Sequence, residues 1–132
     1  MLEKYPQQVR LVFKNYPLRS HRFARAAATA ALAAHAQGRF WEFHDELFAS
    51  YSKLSEAKVE EIRARLKLDK KDFDVQRKAP QVTGLIQKDI RSGSEAGVRA
   101  TPSVFINGRF QKKRSLEGLS AAVDAELRRL GK

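Results

Sequence analysis

Apolar residues follow two different periods along this chain, one typical of strands and one typical of helices. Residues 9–13 place apolar side chains on both alternating faces, a pattern that predicts a strand covered on both sides. Residues 103–106 form a second apolar run, and Asn107 and Gly108 follow it directly. Because Asn-Gly supplies the positive φ angles of a type I′ hairpin, we expect a strand at 103–106 paired with 109–113.

Between these two runs, and again after the hairpin, apolar residues recur at helical spacing. Ser20, Ser55 and Asp69 are expected N-cap residues, since their side-chain oxygens can accept hydrogen bonds from first-turn N–H groups. The pattern predicts helices over 20–37, 40–50 and 56–66, a short helix with Phe73 inward, a helix that follows Pro80 and is broken by Gly93 and Gly97, and a last helix capped by Ser115.

Four helices carry apolar stripes that predict core packing, and in the helix over 56–66 the stripe is Val59, Ile62 and Leu66. Val82, Leu85, Ile86 and Ile90 lie on one side of the helix that follows Pro80. The other two stripes are Phe40, Trp41, Phe43, Leu47 and Phe48 in one helix, and Leu116, Leu119, Val123, Leu127 and Leu130 in the last.

Composition limits the class of protein. A chain of 132 residues with 42% hydrophobic and 31% charged residues is typical of one globular domain. The absence of cysteine excludes a disulfide framework. No apolar run approaches the length of a membrane span, and residues 1–6 do not resemble a signal peptide, so we expect no membrane partner.

The net charge of +11 is strongly basic. It indicates a nucleic acid, an acidic partner or an anionic surface as binding partner, or else a solvated basic face. The positive charges are spread along the chain, and only residues 109–114 form a dense patch. Nucleic-acid binding has no helix-turn-helix, zinc or RNP-type motif in its support, so it rests on charge alone.

Histidines and carboxylates raise the question of acid–base or metal chemistry. Their spacings match no metal-binding motif, and no nucleophile elbow or phosphate-cradling glycine motif is present. We therefore predict no catalytic residue, no metal and no cofactor in this chain. The residues weighed are His21, His35 and His44, for which catalysis or metal binding is not favoured, and Glu42, Asp45 and Glu46, for which a solvated face is favoured.

The most specific motif is GVRATPSVFINGR, residues 97–109, in which a Thr-Pro pair enters the apolar run. Proline lacks an N–H and belongs at the start or edge of a strand, and X-Pro is the peptide bond that adopts cis at modest cost. This motif resembles the cis-proline loop of DsbA-like thiol:disulfide oxidoreductases, which have the thioredoxin fold. Residues 9–18 with His21, the run QGRFWEFHDELF at 37–48 and residues 66–73 resemble other signatures of that family, although Lys67 replaces its usual glycine.

The resemblance implies an α/β, thioredoxin-like fold with a DsbA-type helical insert, lacking the first strand and the active-site helix. Residues 1–132 would form a single domain, with a thioredoxin core at 1–18 and 98–132 and the insert at 19–97. It also implies that Ala100, Thr101 and Pro102 bind an extended polypeptide substrate or partner, and that the location is periplasmic or otherwise extracytoplasmic.

The family's Cys-x-x-Cys segment has no counterpart here, and no other residue type replaces a thiolate in disulfide exchange. The expected function is therefore a family member without its dithiol. The alternatives are a redox-inactive peptide-binding or dimeric assembly module and, on charge alone, a nucleic-acid binder.

In the family's fold, the strand that has no counterpart here lies between the two predicted strands. Its loss would leave buried backbone groups unpaired at about 1–3 kcal/mol each, against a total stability of about 5–15 kcal/mol. Three arrangements would avoid this: direct pairing of the two strands, a homodimer that covers the gap, or a longer native product. Between the first two, we favour the dimer slightly.

Overall fold

The computed structural model describes residues 1–132, which divide into two compact units. We call Lys14–Ala96 the helical unit, and Met1–Phe13 together with Gly97–Lys132 the hairpin unit. Both helices and a small antiparallel sheet are present, in agreement with the predicted α/β class.

The helical unit contains five α-helices and one short 3-10 turn at Tyr51–Lys53. The expected N-caps at Ser55 and Asp69 are confirmed, since each side chain accepts a hydrogen bond from the backbone N–H three residues later. The helices are α1 (Ala24–Ala36), α2 (Phe40–Ala49), α3 (Glu56–Arg65), α4 (Lys70–Arg77) and α5 (Pro80–Glu95).

Two helix boundaries differ from the sequence predictions. The cap predicted at Ser20 is wrong: a turn closed by the His21 N–H and the Leu18 carbonyl delays α1, and Phe23 occupies its N-cap without a side-chain hydrogen bond. The break predicted at Gly93 is also wrong, because α5 runs through it. One glycine inside a long helix weakens the helix without ending it.

The core of the helical unit forms around stacked rings. Phe43 of α2 and Phe73 of α4 are fully buried, with ring centroids 5.6 Å apart. The alanines of α1 pack beside them, and Ile62 of α3 is also fully buried in this cluster. A second, smaller cluster joins Leu32 to Val82 and Ile86 of α5.

The predicted apolar stripes are correct only in part. Phe43 and Leu47 are buried, whereas Trp41 and Phe48 are 43% and 61% exposed, so the full aromatic stripe on α2 is not core. On α5, Leu85 is exposed and Asp89 is buried instead. The Asp89 carboxylate accepts hydrogen bonds from the backbone N–H and the side-chain amide of Asn15, which satisfies it without a basic partner.

The hairpin unit contains the sheet and the last helix. Strand β1 (Phe105–Ile106) pairs antiparallel with β2 (Arg109–Phe110), and both are shorter than the predicted 103–106 and 109–113. The turn is as predicted, because Asn107 and Gly108 both have positive φ, as a type I′ turn requires. Helix α6 (Leu116–Arg129) begins at the predicted cap, Ser115, whose hydroxyl accepts from the Gly118 N–H.

The strand predicted at residues 9–13 is not formed. Leu11 and Val12 are 57% and 58% exposed, and no strand pairs with this segment. An apolar run becomes a buried strand only when neighbours satisfy its backbone and cover its faces. Direct pairing of this segment with β1, one of the three expected arrangements, is therefore wrong.

Helix α6 buries a narrower face than its leucine spacing predicts. Val123 and Glu126 are buried, whereas Leu116 and Leu130 at the two ends are exposed. The buried Tyr5 hydroxyl donates a hydrogen bond to Asp124 at 2.6 Å, which ties the N-terminal segment to this helix. No helix in the structure combines the length and apolar character needed to cross a membrane.

Candidate functional site

The loop that enters β1 begins at a glycine that the backbone requires. Gly97 follows the last turn of α5 with φ at +82°, a conformation that L residues with side chains rarely adopt. The peptide bond between Thr101 and Pro102 is cis. Ala100, Thr101 and Pro102 are all exposed, so the surface of this loop is open to a ligand.

Two hydrogen bonds fix the loop on either side of Thr101. The Ser103 hydroxyl donates to the Ala100 carbonyl at 2.7 Å, and the Arg114 guanidinium donates to the Pro102 carbonyl. Thr101 itself makes no hydrogen bond in the structure. Because Thr101 is an exposed residue, its N–H and its carbonyl are one donor and one acceptor that a ligand can use, in a segment held at both ends.

A pocket of about 340 Å³ lies beside this loop, entirely within the hairpin unit. Its size is within the range of small ligand sites. The loop, β2 and the segment after β2 each contribute to its walls. The lining residues are Gly97, Arg99, Ala100, Pro102, Ser103, Phe110, Lys112 and Arg114.

The charge of this pocket is entirely positive. Arg99, Lys112 and Arg114 line it, and no acidic side chain does. Arg99 and Lys112 are exposed and take part in no ion pair, whereas Arg114 is hydrogen-bonded to the Pro102 carbonyl. The pocket therefore attracts anionic groups.

Glu126 of α6 anchors the hairpin through contacts with the turn and with β2. Its carboxylate accepts from the Asn107 amide at 3.3 Å and pairs with Arg109 at 3.1 Å and Arg129 at 2.8 Å. The hydrogen bond from Arg129, and then that from Asn107, lowers the pKa of Glu126. Because Arg109 belongs to β2, this cluster also positions Phe110, the next residue, at the pocket.

Phe110 supplies the apolar wall of the pocket. It lies opposite Phe105 in the β1–β2 register, and the two rings meet edge to face with centroids 5.5 Å apart. Phe110 remains 55% exposed, so a large part of its ring is accessible.

The structure places the sequence-predicted site residues at this pocket. Ala100 and Pro102 line it, and Thr101 lies between them. Sequence reasoning missed the role of Arg99, Phe110 and the side chains after β2. The dense basic run at 109–114 was the available signal, but it did not show which members face the loop. Lys112 and Arg114 do, whereas Arg109 is bound to Glu126.

The other chemistry weighed from the sequence is dispersed. His44 is 3.0 Å from the Asp45 carboxylate and contacts the Phe48 ring, and no three potential metal ligands converge anywhere in the structure. The carboxylates of α2 have separate basic partners, as a solvated face predicts. Glu42 pairs with Arg39 and Glu46 with Arg65.

The fold elements, the Thr-Pro loop and its open pocket define a thioredoxin-like domain. The family model described as thioredoxin matches residues 1–125, and the chain belongs to this family. The predicted resemblance to disulfide oxidoreductases is confirmed by a relative that is named as a disulfide bond formation protein. The chain itself contains no cysteine.

Two kinds of relatives are similar to the chain. The Na(+)/H(+) antiporter NhaA 3 of Salinispora tropica is 38% identical over 87% of this chain, and the Na(+)/H(+) antiporter NhaA of Nitrosospira multiformis is 34% identical over 80%. The probable disulfide bond formation protein D of Bacillus anthracis is 28% identical over 92% of this chain.

The matched regions are parts of longer proteins. The chain spans 18% and 17% of the two antiporters and 59% of the disulfide bond formation protein. No solved structure gives a significant match to the chain.

Proposed function

We propose that this chain is a peptide-holding module of the DsbA-like branch of the thioredoxin family, with residues 1–132 acting as one thioredoxin-like domain and 19–97 as its helical insert. Its loop at Ala100, Thr101 and Pro102 binds an extended polypeptide. Thiol chemistry on that polypeptide would require a thiolate that these residues do not contain. By resemblance to the family, the module works outside the cytoplasm.

The observation that carries the proposal is that the backbone of the exposed residue Thr101, beside an open pocket, bonds to no other group of the protein. An extended peptide can form two backbone hydrogen bonds with one residue, one to its N–H and one to its carbonyl, as strands do when a segment adds to a sheet edge. The carbonyls on both sides are already bonded to Ser103 and Arg114, so the loop keeps its geometry without a ligand. A site held in this way loses little conformational freedom on binding.

The experiment is a titration of isotope-labelled protein with a short, neutral, end-capped synthetic peptide, followed by NMR. We expect the amide signals of Arg99, Thr101 and Ser103 to shift. Ala100→Phe should weaken binding about tenfold or more, because the ring occupies the mouth of the pocket. Ala121→Phe, at an exposed alanine of α6, is the matched control and should bind as the parent does.

Two outcomes would remove the proposal. One is the absence of shifts at the loop over the whole titration. The other is equal weakening by Ala100→Phe and Ala121→Phe.

A redox-inactive dimeric assembly module is the rival within the same family. It is favoured by Leu11 and Val12, which are exposed although their sequence is that of a buried strand. Light scattering at low micromolar concentration distinguishes the two functions. A dimer that the substitution Leu11→Lys dissociates supports the assembly module, and a monomeric parent protein contradicts it.

A second candidate function follows from the names of the antiporter relatives. A domain of this kind would accompany a sodium/proton antiporter within one longer product. Immunoblotting of native membranes with an antibody against this domain tests it. A much larger, membrane-bound product supports this candidate, and a product of 15.0 kDa contradicts it.

A further inference from the structure

We propose that the pocket beside Pro102 selects acidic polypeptide segments, in which Asp or Glu carboxylates bind Arg99 and Lys112 while the peptide backbone pairs with Thr101. This inference rests on the proposed function and names the class of peptide that the module holds. The preference for acidic over neutral peptides comes from charge. An experiment can therefore contradict this preference and still show that the module binds peptides.

The first argument is that the cations of the pocket have no internal counterion. Two acids of the same unit are engaged elsewhere: Glu126 binds Asn107, Arg109 and Arg129 on the hairpin and α6. Asp124 accepts from Tyr5 and lies 3.5 Å from the Lys4 amine. A carboxylate that enters the pocket therefore displaces no existing ion pair.

The second argument concerns the geometry of the donors. Arg99 belongs to the loop and Lys112 to the segment after β2, so two separate parts of the chain direct positive charge at one pocket. A guanidinium binds a carboxylate through two parallel N–H groups, and an ammonium adds a point charge with less directional demand. Arg114 holds the loop through the Pro102 carbonyl and retains further N–H donors.

The third argument decides between a polypeptide and a nucleic acid, which also carries negative charge. The Thr101 N–H and carbonyl can both pair with a peptide backbone, which supplies a carbonyl at every residue and an N–H at every residue except proline. A DNA backbone offers acceptors only, so it can bond the Thr101 N–H but not the Thr101 carbonyl. The exposed ring of Phe110 adds an apolar wall that suits an aliphatic residue next to the carboxylates.

The test uses three end-capped peptides of one length and sequence that differ only in carrying Glu, Gln or Lys at the same positions between leucines. Binding is measured by NMR titration of the labelled protein at low and at physiological salt. We expect the Glu peptide to bind about tenfold or more tightly than the Gln peptide at low salt, and the Lys peptide to bind weakest. Added salt should narrow the difference, because exposed charges are screened.

Matched variants locate the effect. The double variant R99Q/K112Q should reduce the preference of Glu over Gln to about twofold or less while the Gln peptide still binds. The control K113Q/K132Q removes the same net charge from exposed lysines that do not line the pocket, and it should keep the preference.

The outcomes separate this inference from the proposed function. Equal binding of the Glu and Gln peptides at the loop overturns the acidic preference and leaves peptide holding intact. Failure of all three peptides to shift the loop signals overturns both. If R99Q/K112Q and K113Q/K132Q lower the preference equally, diffuse net charge explains it and the assignment to this pocket is wrong. The assignment also fails if a single-stranded homopolymer oligonucleotide competes with the Glu peptide at the same signals and binds more tightly.

Discussion

The helical unit and the hairpin unit differ in how many large apolar side chains they bury. In the helical unit, Phe43, Phe73, Ile62 and Ile86 are fully buried. In the hairpin unit, large apolar side chains remain accessible, and Tyr5 and Val123 are its buried hydrophobic residues. The exposed ones include Leu11, Val12, Phe105, Phe110 and Leu116.

This difference indicates that the helical unit is mainly a structural scaffold and that the hairpin unit carries the candidate binding surface. Ion pairs such as that between Arg77 and Glu56 join α4 to α3 around this buried core. The hairpin unit is held by polar anchors instead, chiefly Glu126 and the Tyr5–Asp124 hydrogen bond. Its pocket residues Arg99, Lys112 and Phe110 are exposed, so a partner can reach them.

The largest expected effect comes from making one substitution in both units. Phe73→Ala should lower the free energy of unfolding by about 3–5 kcal/mol, because it leaves a cavity among fully buried side chains. Phe110→Ala should lower it by about 1 kcal/mol or less, since that ring is largely exposed. Urea denaturation of both variants measures the difference.

Peptide binding should show the reverse order. Phe110→Ala should weaken binding of the Glu peptide. Phe73→Ala should not, when binding is measured under conditions in which this variant remains folded. Equal losses of stability in the two variants would contradict the distinction between scaffold and surface.

A smaller effect is expected at the anchor of the N-terminal segment. Tyr5→Phe removes the hydrogen bond to Asp124 and should destabilise the protein by about 1–2 kcal/mol. The bond from Tyr5 is also the main cause of the lowered pKa of Asp124, so NMR titration should find that pKa raised in the variant. Tyr51→Phe, at a ring 78% exposed, is the control and should change neither quantity.

The smallest expected effect is a pH dependence of the hairpin anchor. Hydrogen bonds from Arg129 and Asn107 lower the pKa of Glu126 in the folded state, so the unfolded chain takes up a proton first as the pH falls. The stabilisation is complete above the ordinary pKa of 4.5 and is lost as the pH falls through the lowered value. Glu126→Gln should therefore flatten, without abolishing, the fall of stability in urea titrations over this range.

The remaining slope has identified sources. Basic partners lower the pKa values of Glu56, Glu60 and Glu61 in the helical unit, and the hydrogen bond from Tyr5 lowers that of Asp124. A slope in Glu126→Gln equal to that of the parent would show that the anchor does not titrate with folding.

Prediction from sequence succeeded where the signal is local. Ser55, Asp69 and Ser115 cap helices because a side-chain oxygen and an N–H three residues away are close in any helix start. The Asn107-Gly108 turn is equally local. Prediction failed at Trp41 and Phe48, whose helical spacing resembles that of core residues although no other element buries them.

In the candidate site, too, only the local part could be predicted from the sequence. The Thr101–Pro102 motif could be found in the sequence because its residues are contiguous. The cationic pocket could not, since Arg99 and Lys112 come together only through the hairpin and its register.

The sequence by itself determined the presence of the helices, the caps at Ser55, Asp69 and Ser115, the hairpin turn, the family and the lack of a thiol nucleophile. Only the tertiary structure decided which faces are buried, that residues 9–13 do not form a strand, and which cations of the basic run face the loop. The reason is physical: caps and turns close within a few residues, whereas burial and strand pairing depend on partners distant in sequence. Asp89 shows this most directly, because a charged residue on an apolar helix face is buried through hydrogen bonds from Asn15.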